Sequence, residues 1–201
     1  MLSDVMRLFW QKGYEKVSME EIVQVSGLNR YAIYQNWGGK AELYAMCLRQ
    51  YSEMFIETAF APLASGSGGL DDIRAAFDTS LALFDTGDSA NGCMACRALV
   101  EPVYEAPAIT EQVETHFSTI KTLFAQALAR ARERREIAED ADIDALAEYL
   151  VGIVQGAQLF GLRGVDKSTV DSYFRIAVAA LQSRPSVVAA IGHGKKRHQD
   201  G

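Results

Sequence analysis

The segment from Ser18 to Lys40 constrains this chain more than any other, because its cap and turn residues dictate two short helices joined at a fixed angle. Ser18-Met19-Glu20-Glu21 is a capping box, in which the Ser18 hydroxyl accepts from the Glu21 amide and the Glu21 carboxylate accepts from the Ser18 N–H. The helix that starts there turns Ile22 and Val25 inward and ends at Gly27, a residue free to take the left-handed conformation of a sharp turn. Asn29 caps the next helix, Leu28 and Ile33 are spaced as a hydrophobic staple, and Trp37 with Gly38-Gly39 closes it. Short helix, glycine turn and short helix make a helix-turn-helix.

The remainder reads as all-α. Only four prolines occur and the β-branched residues form no alternating runs. A first helix spans 2–12, with Val5, Leu8 and Phe9 on one stripe, and Lys40 opens a fourth that runs through about residue 60. The glycine-rich stretch 64–69 is a flexible connector. Further helices are expected at about 70–85, 92–104, 107–136, 142–163 and 168–183, nine in total. The expected organisation is a helix-turn-helix domain at 1–44, a larger helical domain at 45–183 and a mobile basic tail at 184–201.

The second helix of the motif has a buried edge, Ile33 and Trp37, and a polar, aromatic edge. Tyr31, Ala32, Gln35 and Asn36 face outward, with Arg30 and Tyr34 at the border. Arg fits guanine O6 and N7 in bidentate fashion, Gln pairs with adenine, and an Ala methyl meets a thymine methyl. Tyr34 and Lys40 are better placed for phosphates. The net charge of −6 does not oppose this: residues 1–50 hold six Lys and Arg against five Asp and Glu, the rest fourteen against twenty-one. The competing account is an ordinary solvated helix face.

The run from Val17 to Tyr44, above all Gly27-Leu28-Asn29, Ile33-Tyr34, Trp37 and Lys40-Ala41-Glu42-Leu43, closely resembles the DNA-binding core of TetR-family regulators. The resemblance implies a three-helix reader with the residues from Arg30 to Tyr34 in the major groove, phosphate contacts from Ser18, Tyr34 and Lys40, and Asn29 among the DNA-binding residues. It also implies a larger helical domain for dimerisation and small-ligand sensing. The expected function is thus a sequence-specific transcriptional repressor, released by a small, largely apolar ligand. Its partners are a near-palindromic double-stranded operator, an unidentified effector and a second copy of the chain.

For the ligand site the apolar candidates are Phe77, Leu81, Phe84, Cys93, Phe117, Ile120, Phe124 and Tyr149, with Gln155, Gln158 or His116 supplying polarity. Plain core is the alternative for most of them. Cys93 and Cys96 lie one turn apart beside Gly92, where a thiol near a helix start is open to electrophiles or oxidants. The Gly92-Cys93 step also resembles the NemR-like branch of the family, which makes a thiol-sensing repressor the second functional reading; small buried hydrophobes are the bland one. A metal site lacks a second ligand pair, no cofactor motif is present, and an enzyme would need a nucleophile with an adjacent base, a metal triad or a phosphate loop.

Two nearly continuous apolar helices carry Leu146, Leu150, Ile153, Val154, Ala157 and Leu159, and Phe174, Ala177, Val178 and Leu181, with Gly152, Gly156 and Gly161 allowing close approach. Pattern alone leaves them divided between intrachain core and a dimer interface, and the family resemblance favours the interface. Three cysteines, an odd number, with no apolar run of about 20 residues and no secretory leader, point to reduced thiols, no membrane span and a cytoplasmic address.

Overall fold

The computed structural model describes residues 1–83 and 91–182. Ten α-helices run through these residues: α1 Leu2–Lys12, α2 Met19–Ser26, α3 Arg30–Trp37, α4 Lys40–Ala59, α5 Ala61–Ser65, α6 Leu70–Leu83, α7 Met94–Val100, α8 Pro107–Glu133, α9 Ile143–Leu162 and α10 Lys167–Gln182. Phe84 and the expected basic tail lie outside the described residues.

The local signals act where they stand. Ser18 and Glu21 exchange both bonds of the capping box, at 3.2 Å to the Ser18 hydroxyl and 2.8 Å to the Glu21 carboxylate. Gly27 ends α2 at φ 71°, and the Asn29 side chain accepts from the Ala32 amide at 2.8 Å to start α3. Ile22 and Ile33 are fully buried beneath these helices, whereas Val25, expected inside, is exposed.

Three boundaries differ from expectation. The long fourth helix is followed by the five-residue α5, a single turn too short to show a periodicity. The helix expected over 92–104 stops at Val100, since Pro102 has no N–H to donate and biases its neighbour away from helix; a 3-10 turn, Pro102–Glu105, follows. α8 ends at Glu133, ahead of Arg135, which sits at a left-handed φ of 61°. The 64–69 connector is anchored: Arg130 donates to the Gly68 carbonyl at 2.6 Å and pairs with Asp72 at 3.1 Å.

Two apolar clusters fill the chain. One joins α1–α4 to α7 and the start of α8, through Val5, Phe9, Ile22, Ile33, Tyr44, Met94, Ile109 and Val113. The other lies among α5, α6, α8, α9 and α10. Phe55 on α4 and Phe117 on α8 pack against both. α4, about 30 Å long at 1.5 Å per residue, contacts α1, α3, α6 and α8, and so spans both clusters.

Candidate functional site

α3 presents one face to solvent. Tyr31 is 73% exposed and Tyr34 49%, Arg30, Gln35 and Asn36 are exposed, and Ala32 is half-buried. Ile33 anchors the opposite face. Ser18 and Asn29 stand at the N-termini of α2 and α3, where their side chains serve as caps.

Two cations of this face have partners that sequence spacing did not reveal. Arg30 Nη2 pairs with Glu20 Oε1 on α2 at 2.7 Å, with both side chains largely exposed. Lys40 Nζ lies 4.1 Å from the centroid of the Tyr14 ring, a cation–π seat, and desolvation pulls its pKa below the ordinary value. A solvent-exposed ion pair is worth at most about 1 kcal/mol, so Arg30 is parked rather than locked.

The end of α1 is gripped from the other side of the molecule. The Trp10 indole Nε1 donates to the Gly92 carbonyl at 2.7 Å, Arg97 on α7 donates to the Trp10 carbonyl at 3.0 Å, and Glu101 accepts from the Tyr14 amide at 2.9 Å. Gly13 makes this possible. Its φ is +82°, and a Cβ there would stand 2.3 Å from the Glu101 carboxylate. These partners lie 82 to 87 residues apart in the chain, beyond the reach of any local signal.

Beside this grip lies a small cavity of about 10 Å³. Of the candidate ligand residues, Cys93, Phe117, Ile120 and Gln155 line it together with His116 and Gln158. The others fall elsewhere. Phe77 stacks on Phe174 at 4.4 Å and, with Leu81, lines a separate open groove of about 320 Å³ between α6 and α10. Phe124 is fully buried in the core, and Tyr149 points to solvent.

Among the described candidates, Cys93 has a chemically distinctive setting. The Cys96 amide donates to its Sγ at 3.4 Å, His116 Nε2 lies 3.9 Å away, and His116 Nδ1 meets Ser52 Oγ at 2.9 Å. His116 is 2% exposed. The bond from the Cys96 side chain, and after it the neighbouring His116, hold the Cys93 thiol well below its ordinary pKa against the opposing effect of burial. Cys96 is displaced upward by the same contact. Cys47 has no such neighbours, and burial alone pushes it up to about 12.

The residues that the family resemblance favours for a dimer interface face inward. Leu150, Ile153, Val154 and Ala157 on α9, and Phe174, Ala177, Val178 and Leu181 on α10, are buried in the chain's own core, because α9 packs against α8, α10 against α6, and the two helices against each other. Their outward faces carry Leu159 and Gly152, which belong to the same sequence pattern, together with Tyr149 and Ile176. Gly152 faces open space, while Gly156 lets Tyr173 of α10 approach, since a Cβ there would meet its hydroxyl at 2.6 Å. No helix among the described residues is long and apolar enough to cross a membrane.

Comparison with known proteins agrees with this architecture. Residues 2–47 match the family described as bacterial regulatory proteins, tetR family, and residues 69–172 match the tetracyclin repressor-like C-terminal domain. The HTH-type transcriptional repressor ComR of Escherichia coli (strain K12) is 24% identical over 188 residues, 93% of this chain and 88% of its own length. The uncharacterized HTH-type transcriptional regulator YezE of Bacillus subtilis (strain 168) is 24% identical over 151 residues, 75% of this chain and 78% of its own. Among solved structures, cysteine-substituted CifR, a TetR-family regulator complexed with 26-base-pair operator DNA, superposes with a TM-score of 0.78 at 19% identity, over 89% of this chain and 94% of CifR. A TetR-family regulator from Agrobacterium tumefaciens superposes with a TM-score of 0.77 at 21% identity, over 90% and 95%. With both halves matched in order and the capped reader helix in place, the chain belongs to the TetR family of transcriptional regulators.

Proposed function

We propose that this regulator is a homodimeric repressor whose two α3 helices enter successive major grooves of a near-palindromic operator. The observation that carries this is the build of α3: capped by Asn29, anchored by Ile33, with Arg30, Tyr31, Ala32, Gln35 and Asn36 on the solvent side for base edges once Arg30 leaves its exposed pair with Glu20. Ser18, Tyr34 and Lys40 flank that face at positions suited to phosphates. Half-sites about one helical turn apart, roughly 34–36 Å, or somewhat more, suit such a pair of helices. CifR, which shares the fold, has been captured on its own operator.

The second copy docks on the outward faces of α9 and α10, where Tyr149, Leu159 and Ile176 are exposed apolar side chains and Gly152 permits close approach. The effector acts at the cavity between α4, α7, α8 and α9. At about 10 Å³ that cavity is too small for an organic molecule, so a small, largely apolar ligand binds a widened form and releases DNA through its preference for that form. A thiol-based input is favoured by the setting of Cys93; kinship with the NemR-like branch rests on the Gly92-Cys93 step alone.

Selection of fragments of the source genome on purified protein, followed by sequencing, tests the DNA reading. Enrichment of a near-palindromic site is expected. Retention without sequence preference at moderate salt, with the protein folded, overturns it.

A further inference from the structure

We propose that Cys93 and Cys96 form a peroxide-responsive dithiol switch, closing an intrachain disulfide that loosens the hold of α7 on α1. The output, lower operator affinity, rests on the DNA-binding reading; the chemistry does not.

The pair sits at C-x-x-C spacing, and the Cys96 amide already faces the Cys93 sulfur at 3.4 Å. Around that sulfur are His116 Nε2 at 3.9 Å and the ring of Tyr51, a buried phenol whose hydroxyl is pushed well above its ordinary pKa by burial and then by Cys93 beside it. Such neighbours stabilise a thiolate, the form that reacts. Capping α7 does not by itself call for sulfur here, since a Ser hydroxyl is among the strongest cap acceptors. His116 is in turn held by Ser52 at 2.9 Å, so the imidazole has a fixed orientation toward the thiol.

Size favours a small reagent. The cavity touching Cys93, Cys96 and His116 is about 10 Å³, room for roughly one water-sized molecule, and among two-electron oxidants hydrogen peroxide comes nearest to that. The Cys93 thiolate attacks one peroxide oxygen and the O–O bond breaks. The departing hydroxide takes the proton that Cys93 gave up, which leaves a sulfenic acid and one water. Cys96 Sγ then attacks the sulfenic sulfur, the S–O bond breaks, and the hydroxide leaves with the Cys96 proton as a second water. Two thiols have lost two electrons and two protons, and one peroxide has become two waters.

The consequence reaches the reader because Arg97 follows Cys96 directly and Gly92 precedes Cys93. Arg97 holds the Trp10 and Gln11 carbonyls, and the Gly92 carbonyl holds the Trp10 indole. Drawing Cys96 onto Cys93 shifts the turn from which both contacts spring.

The test is peroxide titration of the full-length protein, read by intact mass, thiol labelling, peptide mapping and Trp fluorescence, with operator affinity measured alongside. The expected result is a mass loss of two hydrogens, a link between Cys93 and Cys96 within one chain, Cys47 still open to labelling after denaturation, an altered Trp emission, and operator affinity lowered about fivefold or more, all reversed by a thiol reductant. Cys96→Ser should stop at a sulfenic acid on Cys93, read as the gain of one oxygen in intact mass and trapped by dimedone once the protein is denatured, and keep its affinity. Prior oxidation of Cys47, a link between chains, or a disulfide that changes neither Trp emission nor affinity overturns the proposal. If the reduced protein selects no operator, the DNA reading fails while mass and fluorescence still decide the switch.

Discussion

Arg97 on α7 donates from Nη1 to the carbonyl oxygen of Trp10, 3.0 Å away on the last turn of α1. The final carbonyls of a helix have no partner within it, and here a guanidinium from the larger body supplies one. The same Nη1 reaches the Gln11 carbonyl at 3.3 Å, and Trp10 returns a bond from its indole to Gly92. The first reader helix is therefore capped by the segment that carries the thiols.

Arg97→Met should uncouple the two while keeping most of the side chain's bulk. A charge-assisted pair of bonds is lost, so the loss of unfolding free energy should be about 1.5–3 kcal/mol. Denaturant titration reads the stability and Trp emission reads the local contact. Unchanged values for both would mean that the grip carries no weight.

Base reading and phosphate binding separate by residue. Arg30→Ala should relax preference at one operator position at a cost of about 1–3 kcal/mol, whereas Lys40→Ala should weaken all sequences alike and flatten the salt slope by about one. Glu20→Gln frees Arg30 from its 2.7 Å pair and should tighten operator binding, at a stability cost of no more than about 1 kcal/mol. Anisotropy titrations on matched and mismatched duplexes at several salt concentrations distinguish the three.

Ser18→Ala removes the side-chain half of the capping box and should lower stability by about 1 kcal/mol. The other half is sensitive to acid. Lys12 foremost, and then the Ser18 amide, hold Glu21 at about 2 against an ordinary 4.5. A depressed carboxylate contributes stability that is complete above 4.5 and fades as pH falls toward about 2. Circular dichroism melts across that range should show a loss in the native protein that Glu21→Gln reduces.

Position along α9 and α10 should decide the outcome of substitution. Ile176 is 68% exposed, so Ile176→Glu should shift the protein toward monomer in analytical ultracentrifugation without unfolding it. Leu150 is fully buried, so Leu150→Ala should cost about 2–5 kcal/mol and act on melting temperature first. A dimer unaffected by Ile176→Glu would move the interface elsewhere.

Caps are local, and so they were legible: Ser18, Gly27 and Asn29 act within four residues of themselves, and the sequence places the reader helix within a residue of where it lies. The phase of α9 and α10 was not. A helix apolar on two sides announces burial without saying which side meets its own chain, so pattern alone fits Leu150 and Phe174 to a partner as well as to the core in which they lie. Pairings such as Glu20 with Arg30, and Glu101 with Tyr14, depend on how helices are placed in space, which periodicity does not encode. The sensor residues divided for the same reason: Cys93, Phe117 and Gln155 converge only because α7, α8 and α9 meet.

The apolar cluster beneath α3 does not end with the reader. Met94, Ala95, Ala98, Ile109 and Val113 complete the interior that Phe9, Ile22 and Ile33 begin. An excised N-terminal fragment would leave that oily seam open to water, and a chimera that grafts a foreign reader onto this body would have to bring α7 and the head of α8 along with it. Changing the genomic address of such a protein is thus a matter of repainting one helix face in situ rather than exchanging a module.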